Sequence, residues 1–223
     1  MKLIVVVPIG IAALVVSGLI YMNRPDHKYR LTIEVQTPEE VRSSSGVMAV
    51  HKGTISGPLP EVVAGVSMRG EAVYTDLGGG QNLVAILAHG KNASYFDGMS
   101  VLAMNAFAAV GRKVPFREVK QLSGTAPLNG NLIPTLVTFA DVADPKSARV
   151  LDPANIEAAF GGGYHLKRVT LEMLPVGFWP LDFGGPLGEP VTRGIATKLP
   201  WVTSVRGYLS GRFACNPSEE VCL

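Results

Sequence analysis

Length, composition and charge limit what this chain can be before any motif is considered. Its 223 residues include 20 Lys and Arg against 18 Asp and Glu, and a formal net charge of +2 gives no support to nucleic-acid binding. The 25 glycines, 16 prolines and 17% charged residues indicate a turn-rich body of short strands. We expect one domain of roughly 170 to 190 residues after the first stretch is set aside. The predicted fold class is α+β, mostly antiparallel sheet with two or three short covering helices.

The chain begins with a long apolar segment. Residues 3–22 contain no charge, and their number is close to the roughly 20 residues that cross about 30 Å of hydrocarbon. A cleavable signal usually has a shorter apolar region of about 7 to 15 residues before a small-x-small site, for which Val16-Ser17-Gly18 is a poor match. We predict an uncleaved transmembrane anchor over residues 1–23, with the lipid bilayer as partner of residues 3–22. A cleaved signal and a buried core helix are the alternatives.

The charges around this segment disagree about the side that the body faces. Arg24, Lys28, Arg30 and Arg42 follow the span, whereas Lys2 alone precedes it, and the positive-inside rule then favours a cytoplasmic body. A single lysine before an apolar run is, however, the usual start of an export signal. The charges therefore leave a cytoplasmic-facing regulatory domain open.

The cysteine pattern favours the opposite side. The only cysteines, Cys215 and Cys222, enclose six residues in a polar tail that contains Asn-Pro, and a loop this short is easily bridged. Free thiols and metal ligands are the alternatives, although the pair lacks the close C-x2-4-C spacing of zinc sites. A disulfide requires an oxidising compartment. We therefore predict a single-pass inner-membrane protein with a periplasmic body and a disulfide-bearing tail over residues 215–223.

The body opens on the clearest strand pattern in the chain. Residues 29–36, YRLTIEVQ, alternate apolar and polar side chains as a half-buried strand does. They follow a juxtamembrane linker of residues 24–28, so the globular domain, residues 29–214, should sit close to the bilayer. A turn in VRSSSG and a second strand over residues 47–52 are expected next.

A hairpin and a helix come after these strands. GEAVYTDL and NLVAILAH flank GGGQ, which predicts a hairpin over residues 71–77 and 83–89 whose second, wholly apolar arm is a central strand. DGMSVLAMNAFAAVG has apolar residues at helical spacing and predicts a helix that begins at Asp97 and covers one face of the sheet. The remaining expected elements are a strand over residues 135–140, a short helix in DPANIEAAF, a strand in HLKRVTLEM and a short helix over residues 190–198.

Several phrases of the chain resemble a set of uncharacterised proteobacterial proteins with a short hydrophobic N-terminus. They are YRLTIEVQTPEEVRSSSGVMAV, GEAVYTDLGGGQNLVAIL, and RVTLEM followed by VTRGIATKLPWV, about half of the chain. That set has no known activity, so the resemblance implies a bacterial envelope setting and assigns no functional residue.

The four histidines are the first candidates for chemistry. They lie far apart in the sequence, without the i, i+4 spacing of a helical metal pair, and satisfied or exposed histidines are the ordinary interpretation. His51 and His89 fall near predicted strand ends, where they could converge with Asp97 or Asp76 in an acid/base site. We predict no metal and no cofactor.

An aromatic loop is the second candidate. GFWPLDFGG places Phe178, Trp179 and Phe183 between glycines and prolines, and Trp201 after the last helix could join them. Such a loop either folds its aromatics onto the sheet or exposes them to a protein partner or the membrane interface. We take these four residues as the predicted interaction surface.

Two functions from different classes follow from these patterns. The first is a membrane-anchored extracytoplasmic interaction or assembly module, an accessory or structural subunit that binds a membrane protein or a second copy of itself. The second is a membrane-tethered hydrolase or small-ligand-binding domain that uses His51, His89 and Asp97.

Overall fold

Two antiparallel sheets form the frame of the protein in a computed structural model, which describes residues 17–18, 24–56, 62–90, 97–179 and 187–203. The strands are His27–Gln36 (β1), Val41–Ser56 (β2), Val62–Arg69 (β3), Val73–Gly78 (β4), Gln81–Ala85 (β5), Thr125–Pro127 (β6), Leu136–Phe139 (β7), Ala148–Leu151 (β8) and His165–Leu174 (β9). One sheet has the order β3-β2-β1-β9-β6 and the other β4-β5-β7-β8. The sheet-rich α+β class predicted from composition is confirmed.

β1 is the central strand of the five-stranded sheet because its alternate residues are apolar. It pairs antiparallel with β2 on one side and with β9 on the other. The strand begins at His27, so His27 and Lys28, which the sequence assigned to a linker, are part of the sheet and are buried. Four alternating side chains of β1 face the core and are fully buried, namely Tyr29, Leu31, Ile33 and Val35.

The main hydrophobic core fills the space between the inner faces of the two sheets. Met48 and Val50 of β2 and Leu171 of β9 contribute from one sheet, and Leu83 and Leu136 contribute from the other. Full burial of a side chain of this size contributes roughly 1.5 to 3 kcal/mol. The core therefore fixes which face of each strand is turned inward.

Short helices connect the strands, and one of them packs on this core. They are Asp97–Ser100 (α1), Leu102–Ala109 (α2) and Glu157–Phe160 (α3), with 3-10 helices at Phe116–Gln121, Gly130–Leu132, Pro145–Ser147, Ile195–Thr197 and Pro200–Thr203. The helix expected from Asp97 is present but is divided at Val101, whose φ of −107° is not helical. α2 packs on the core through Leu102, Ala103, Ala106 and Phe107.

The predicted hairpin is confirmed as β4 and β5. Gly78, Gly79 and Gly80 have φ angles of 86°, 59° and 83°, a left-handed turn that glycine adopts without steric cost. β5 lies between β4 and β7, as its apolar arm predicted. The turn expected in VRSSSG is wrong, because the chain reverses at residues 37–40, where the Thr37 hydroxyl donates to the Glu40 carbonyl at 2.8 Å.

β2 continues past the start of β1. His27 pairs with Val50, whereas β2 runs on from His51 to Ser56 and is paired there with β3. Leu174 at the end of β9 pairs with Lys28 at the same end of the sheet. We call this the anchor-proximal end, because the chain enters β1 there from the apolar segment for which the sequence predicts a membrane anchor.

After β9 the chain crosses the outer faces of both sheets. Residues 187–203, which we call the C-terminal strap, first follow β2 and then continue to the four-stranded sheet, where Leu199 and Val202 pack on Val84 and Phe139. The α-helix expected over residues 190–198 is wrong. The segment bonds to β2 instead, and only Ile195–Thr197 turns as a 3-10 helix.

Candidate functional site

The outer face of the five-stranded sheet holds a buried tryptophan. Trp179 is 5% exposed and packs on Ala49 of β2 and Val191 of the strap. The ring of His51 meets it edge-on, with the two ring centroids 5.1 Å apart. The Arg69 guanidinium carbon lies 5.5 Å from the Trp179 ring centroid, close enough for a cation–π interaction. Trp179 thus fastens the loop after β9 to the sheet.

Charged side chains of β1 hold the strap beside this tryptophan. The Lys28 ammonium is buried, donates to the backbone carbonyl of Glu189 and lies 5.9 Å from the Trp179 ring centroid. Arg30 donates to the carboxylates of Glu172 and Glu189. The side chains of β1 therefore alternate in role. Those on one face are apolar and form the core, and the basic ones on the other face bind the strap.

The strap also extends the sheet by backbone pairing. Beyond the last β2–β3 pair, Ala49 with Arg69, the Thr192 N–H donates to the Val47 carbonyl at 3.1 Å. The Val47 N–H donates to the Thr192 hydroxyl at 2.8 Å. These bonds satisfy backbone groups of β2 that β3 no longer reaches, which is why the strap follows this edge.

The two ends of the loop after β9 come together at residues 177–178 and 187–188, which we call the neck, and a glycine lies at this point. The Phe178 N–H donates to the Leu187 carbonyl at 3.0 Å, so the chain before and after residues 180–186 is held together. Gly177 has a φ of 66°, and a Cβ at this position would lie 2.3 Å from the Leu187 carbonyl oxygen and 2.3 Å from the Gly188 Cα. Only glycine fits at this crossing.

The predicted aromatic surface is divided by the fold. Phe178 is 66% exposed, whereas its neighbour Trp179 is buried on the sheet. Trp201 packs on Phe139 of the four-stranded sheet, with ring centroids 5.8 Å apart, and so belongs to a different cluster. Phe183 lies outside the described residues. Of the described aromatics in the prediction, Phe178 is the exposed one, and Leu187, bonded to it, is exposed as well.

The candidate acid/base residues lie on different sides of the five-stranded sheet. Met48 and Val50 of β2 face the core, so His51, one residue further, faces outward to Trp179. His89 lies on the inner side, where a Cβ at Gly98 would lie 2.8 Å from its Nδ1. Asp97 is the first residue of α1 and precedes this contact. The structure therefore brings His89 to the start of α1 and leaves His51 on the opposite face.

The electrostatic environment of His89 favours its neutral form. Burial lowers the pKa of His89 below its ordinary value, and the hydrogen bond between Nε2 and the Leu132 carbonyl, 3.3 Å, opposes this shift. Within the described parts of the chain no hydrogen-bond partner reaches the buried Nδ1. A neutral ring at pH 7 accepts a proton, and His51 of the predicted set lies on the opposite face of the five-stranded sheet.

A third histidine, which the sequence did not single out, is the most buried of the described ones. His27 is 1% exposed, its Nδ1 lies 3.0 Å from the Asp26 carboxylate, and its ring contacts Phe116 edge-on at 5.8 Å between centroids. Burial lowers the pKa of His27, and the hydrogen bond to Asp26 and its charge act in the opposite direction. The apolar–polar alternation of residues 29–36, extended back by two residues from Tyr29, could have identified His27 as inward-facing.

Two predictions fall on residues outside the described ranges. The proposed disulfide pair, Cys215 and Cys222, lies there, as does all of the predicted span except residues 17–18. Within the described ranges, no helix combines the length and the apolar character needed to cross a bilayer. The same ranges contain no cluster of three or more His, Cys, Asp or Glu side chains that could hold a metal ion.

Comparisons with known proteins were made for the whole chain. No protein-family model, no curated protein and no solved structure matches it significantly.

Proposed function

We propose that this protein is a membrane-anchored extracytoplasmic module, whose body is held against the bilayer as an accessory subunit of a membrane-associated complex. One observation carries the proposal. The Asp26 N–H already donates to the Val50 carbonyl at 2.7 Å, and His27 is buried. Only residues 23–25 separate the uncharged residues 3–22 from this sheet.

The short connection has a mechanical consequence. Three extended residues reach about 10 Å, so a body joined in this way cannot sample positions far from its anchor. Long flexible linkers suit domains that search for partners, whereas a rigid, short connection suits a domain presented at one height above the membrane. Such a placement supports a role in assembly at the membrane surface.

The separation of the two candidate catalytic histidines also supports an interaction module. His51 packs on Trp179 at the outer face, and His89 contacts the start of α1 on the inner side. General acid–base chemistry needs its groups within hydrogen-bond reach of one substrate. The predicted cysteine bridge and the resemblance to proteobacterial proteins support an envelope location for the same module.

The proposal is tested on the full chain in a bacterial host with alkaline phosphatase fused to its C-terminus. We expect the fusion to remain in membranes after alkaline extraction and to have phosphatase activity, because phosphatase folds in an oxidising compartment. Replacing Ile11 and Leu14 together with lysine should release the protein from the membrane, since charges at the centre of a span oppose insertion.

A matched control and the contrary outcomes complete this test. Ile11→Leu with Leu14→Ile keeps the apolar run and should behave as the natural chain does. Membrane retention with an inactive phosphatase would establish a cytoplasmic-facing body. Loss of the natural chain on alkaline extraction would reject the anchor.

A further inference from the structure

Exposed apolar side chains collect at the anchor-proximal end of the body. Phe178 and Leu187 are exposed at the neck of the loop after β9, and Phe178 is four residues beyond Leu174, the last residue of β9 that pairs with β1. Val66 of β3 is also exposed, and it pairs with Lys52 on the part of β2 that runs past β1. Exposed large apolar residues grouped in this way mark contact sites.

Strand register and ring contacts place these residues near one end of the sheet. His51 follows Val50, the partner of His27, and its ring contacts Trp179, the neighbour of Phe178. Leu187 is bonded to Phe178. Lys52 and Val66 lie beyond the first residue of β1, where the chain arrives from residues 3–22. Phe178 and Leu187 are tied to the same end through Trp179, which contacts His51 and Lys28. We call Val66, Phe178 and Leu187, with the basic residues below, the anchor-proximal face.

The exposed charges of this face are mainly basic. Arg24, Lys52 and Arg69 are exposed. Of the described acidic side chains at this end, Asp26 is hydrogen-bonded to buried His27, and Glu189 is paired with Arg30. Basic and aromatic side chains at the same level are the combination that occurs at membrane–water interfaces, where cations attract anionic headgroups and aromatic rings enter the interface.

We infer that the anchor-proximal face lies on the lipid bilayer itself, with Phe178, Leu187 and Val66 in the interface and Arg24, Lys52 and Arg69 against anionic headgroups. The inference rests on the proposed function, because it requires residues 3–22 to be in the membrane. Three residues then separate the bilayer from Asp26, and this face is the part of the body nearest the lipid. A bilayer that lies within about 10 Å of Asp26 covers the exposed apolar side chains without any additional partner.

The inference is tested by spin labelling of the full chain reconstituted in vesicles of phosphatidylethanolamine and phosphatidylglycerol. Single cysteines replace Phe178, Leu187 or Val41 in a Cys215→Ser, Cys222→Ser background and carry a nitroxide. Val41 is an exposed valine at the far end of the same sheet, paired with Gln36, about 30 Å from the start of β1 at ~3.3 Å per residue. It is therefore a matched control.

The labels at positions 178 and 187 should be more accessible to oxygen, which concentrates in lipid, than to a water-soluble nickel chelate. The ratio of these two accessibilities should exceed that at position 41 several-fold. Replacing Arg24 and Lys52 with glutamine should lower the ratio at position 178 in these vesicles. Vesicles of phosphatidylcholine alone should also lower this ratio for the chain with its natural charges. If the Phe178→Cys or the Leu187→Cys variant does not fold, a label on Val66→Cys takes its place.

The contrary outcomes are distinct from failure of the anchor. If the chain does not float with the vesicles, residues 3–22 do not insert and the proposed function fails first. If the chain floats but positions 178, 187 and 41 are equally accessible to nickel, the face is in water and the inference is overturned. If positions 178 and 187 are shielded from both reagents, the face docks a protein or a second copy, which also overturns it.

Discussion

Replacing Trp179 with alanine should lower the free energy of unfolding of the full chain by about 3 to 5 kcal/mol, the range found when a buried large aromatic is removed. The loss has two sources. The ring is buried against Ala49 and Val191, and its face receives the Lys28 and Arg69 cations. Urea unfolding of the detergent-solubilised protein, followed by far-UV circular dichroism, measures the change. The midpoint of unfolding should fall with little change in the denaturant dependence.

The neighbouring residue supplies the control for this variant. Phe178→Ala removes an aromatic side chain one position away that is mostly exposed, so it should change the unfolding free energy by no more than about 0.5 kcal/mol. Equal losses from the two substitutions, or a larger loss from Phe178→Ala, would show that Trp179 is not the residue that fastens the loop. The comparison also separates an effect on stability from the membrane contact that we propose for Phe178.

Gly177→Ala should destabilise the protein by about 2 to 4 kcal/mol, because strain and a steric clash act together. The new Cβ would lie 2.3 Å from backbone atoms of Leu187 and Gly188, which cannot move as a flexible side chain would. The neck would have to open, and the bond between the Phe178 N–H and the Leu187 carbonyl would be lost. Faster proteolysis of the loop, together with a lower unfolding midpoint, measures this effect.

Gly79→Ala measures the cost of a positive φ without a steric clash. Gly79 has a φ of 59°, close to that of Gly177, but a Cβ there meets no atom within 4 Å among the described residues. Its cost should therefore be about 1 kcal/mol, that of a left-handed non-glycine residue. If the two alanine variants lose the same stability, the close crossing at Gly177 does not exist as described.

The parts of the fold that depend on local pattern were predictable from the sequence. The alternation of YRLTIEVQ and HLKRVTLEM identified β1 and β9, and the glycines of GGGQ identified the β4–β5 turn. These patterns are read within single segments, because side chains alternate along a strand and glycine adopts positive φ wherever a tight turn needs it. The apolar spacing after Asp97 identified α2 in the same way.

The features that depend on distant segments were not predictable in this way. Whether His51 faces His89 depends on the register of β2 in its sheet and on the inner position of α1, which no local pattern determines. Adjacent aromatics present the same difficulty. The sequence GFWP does not indicate that Trp179 packs on the sheet while Phe178 is exposed. Contacts with Ala49 and Lys28, more than a hundred residues earlier, determine which ring is buried.

The extent of β2 was underestimated for a related reason. Its first residues, VRSSSG, have turn-like composition, yet they pair with β1 from Val41 onward. Serines fit a strand whose pairing partners and exposed face are supplied by the sheet, since strand propensity depends strongly on context. The same long strand runs past the start of β1 and carries Lys52 of the anchor-proximal face, a placement that local sequence pattern does not indicate.

The central claim, a body outside the cytoplasm and fixed to the membrane, is tested most directly by the native cysteines of the unmodified chain. In intact cells, a membrane-impermeant thiol reagent should label Cys215 and Cys222 only after treatment with a membrane-impermeant reductant, because the two should form a disulfide in an oxidising compartment. Labelling that requires cell lysis and no reductant would place free thiols in the cytoplasm and contradict the claim.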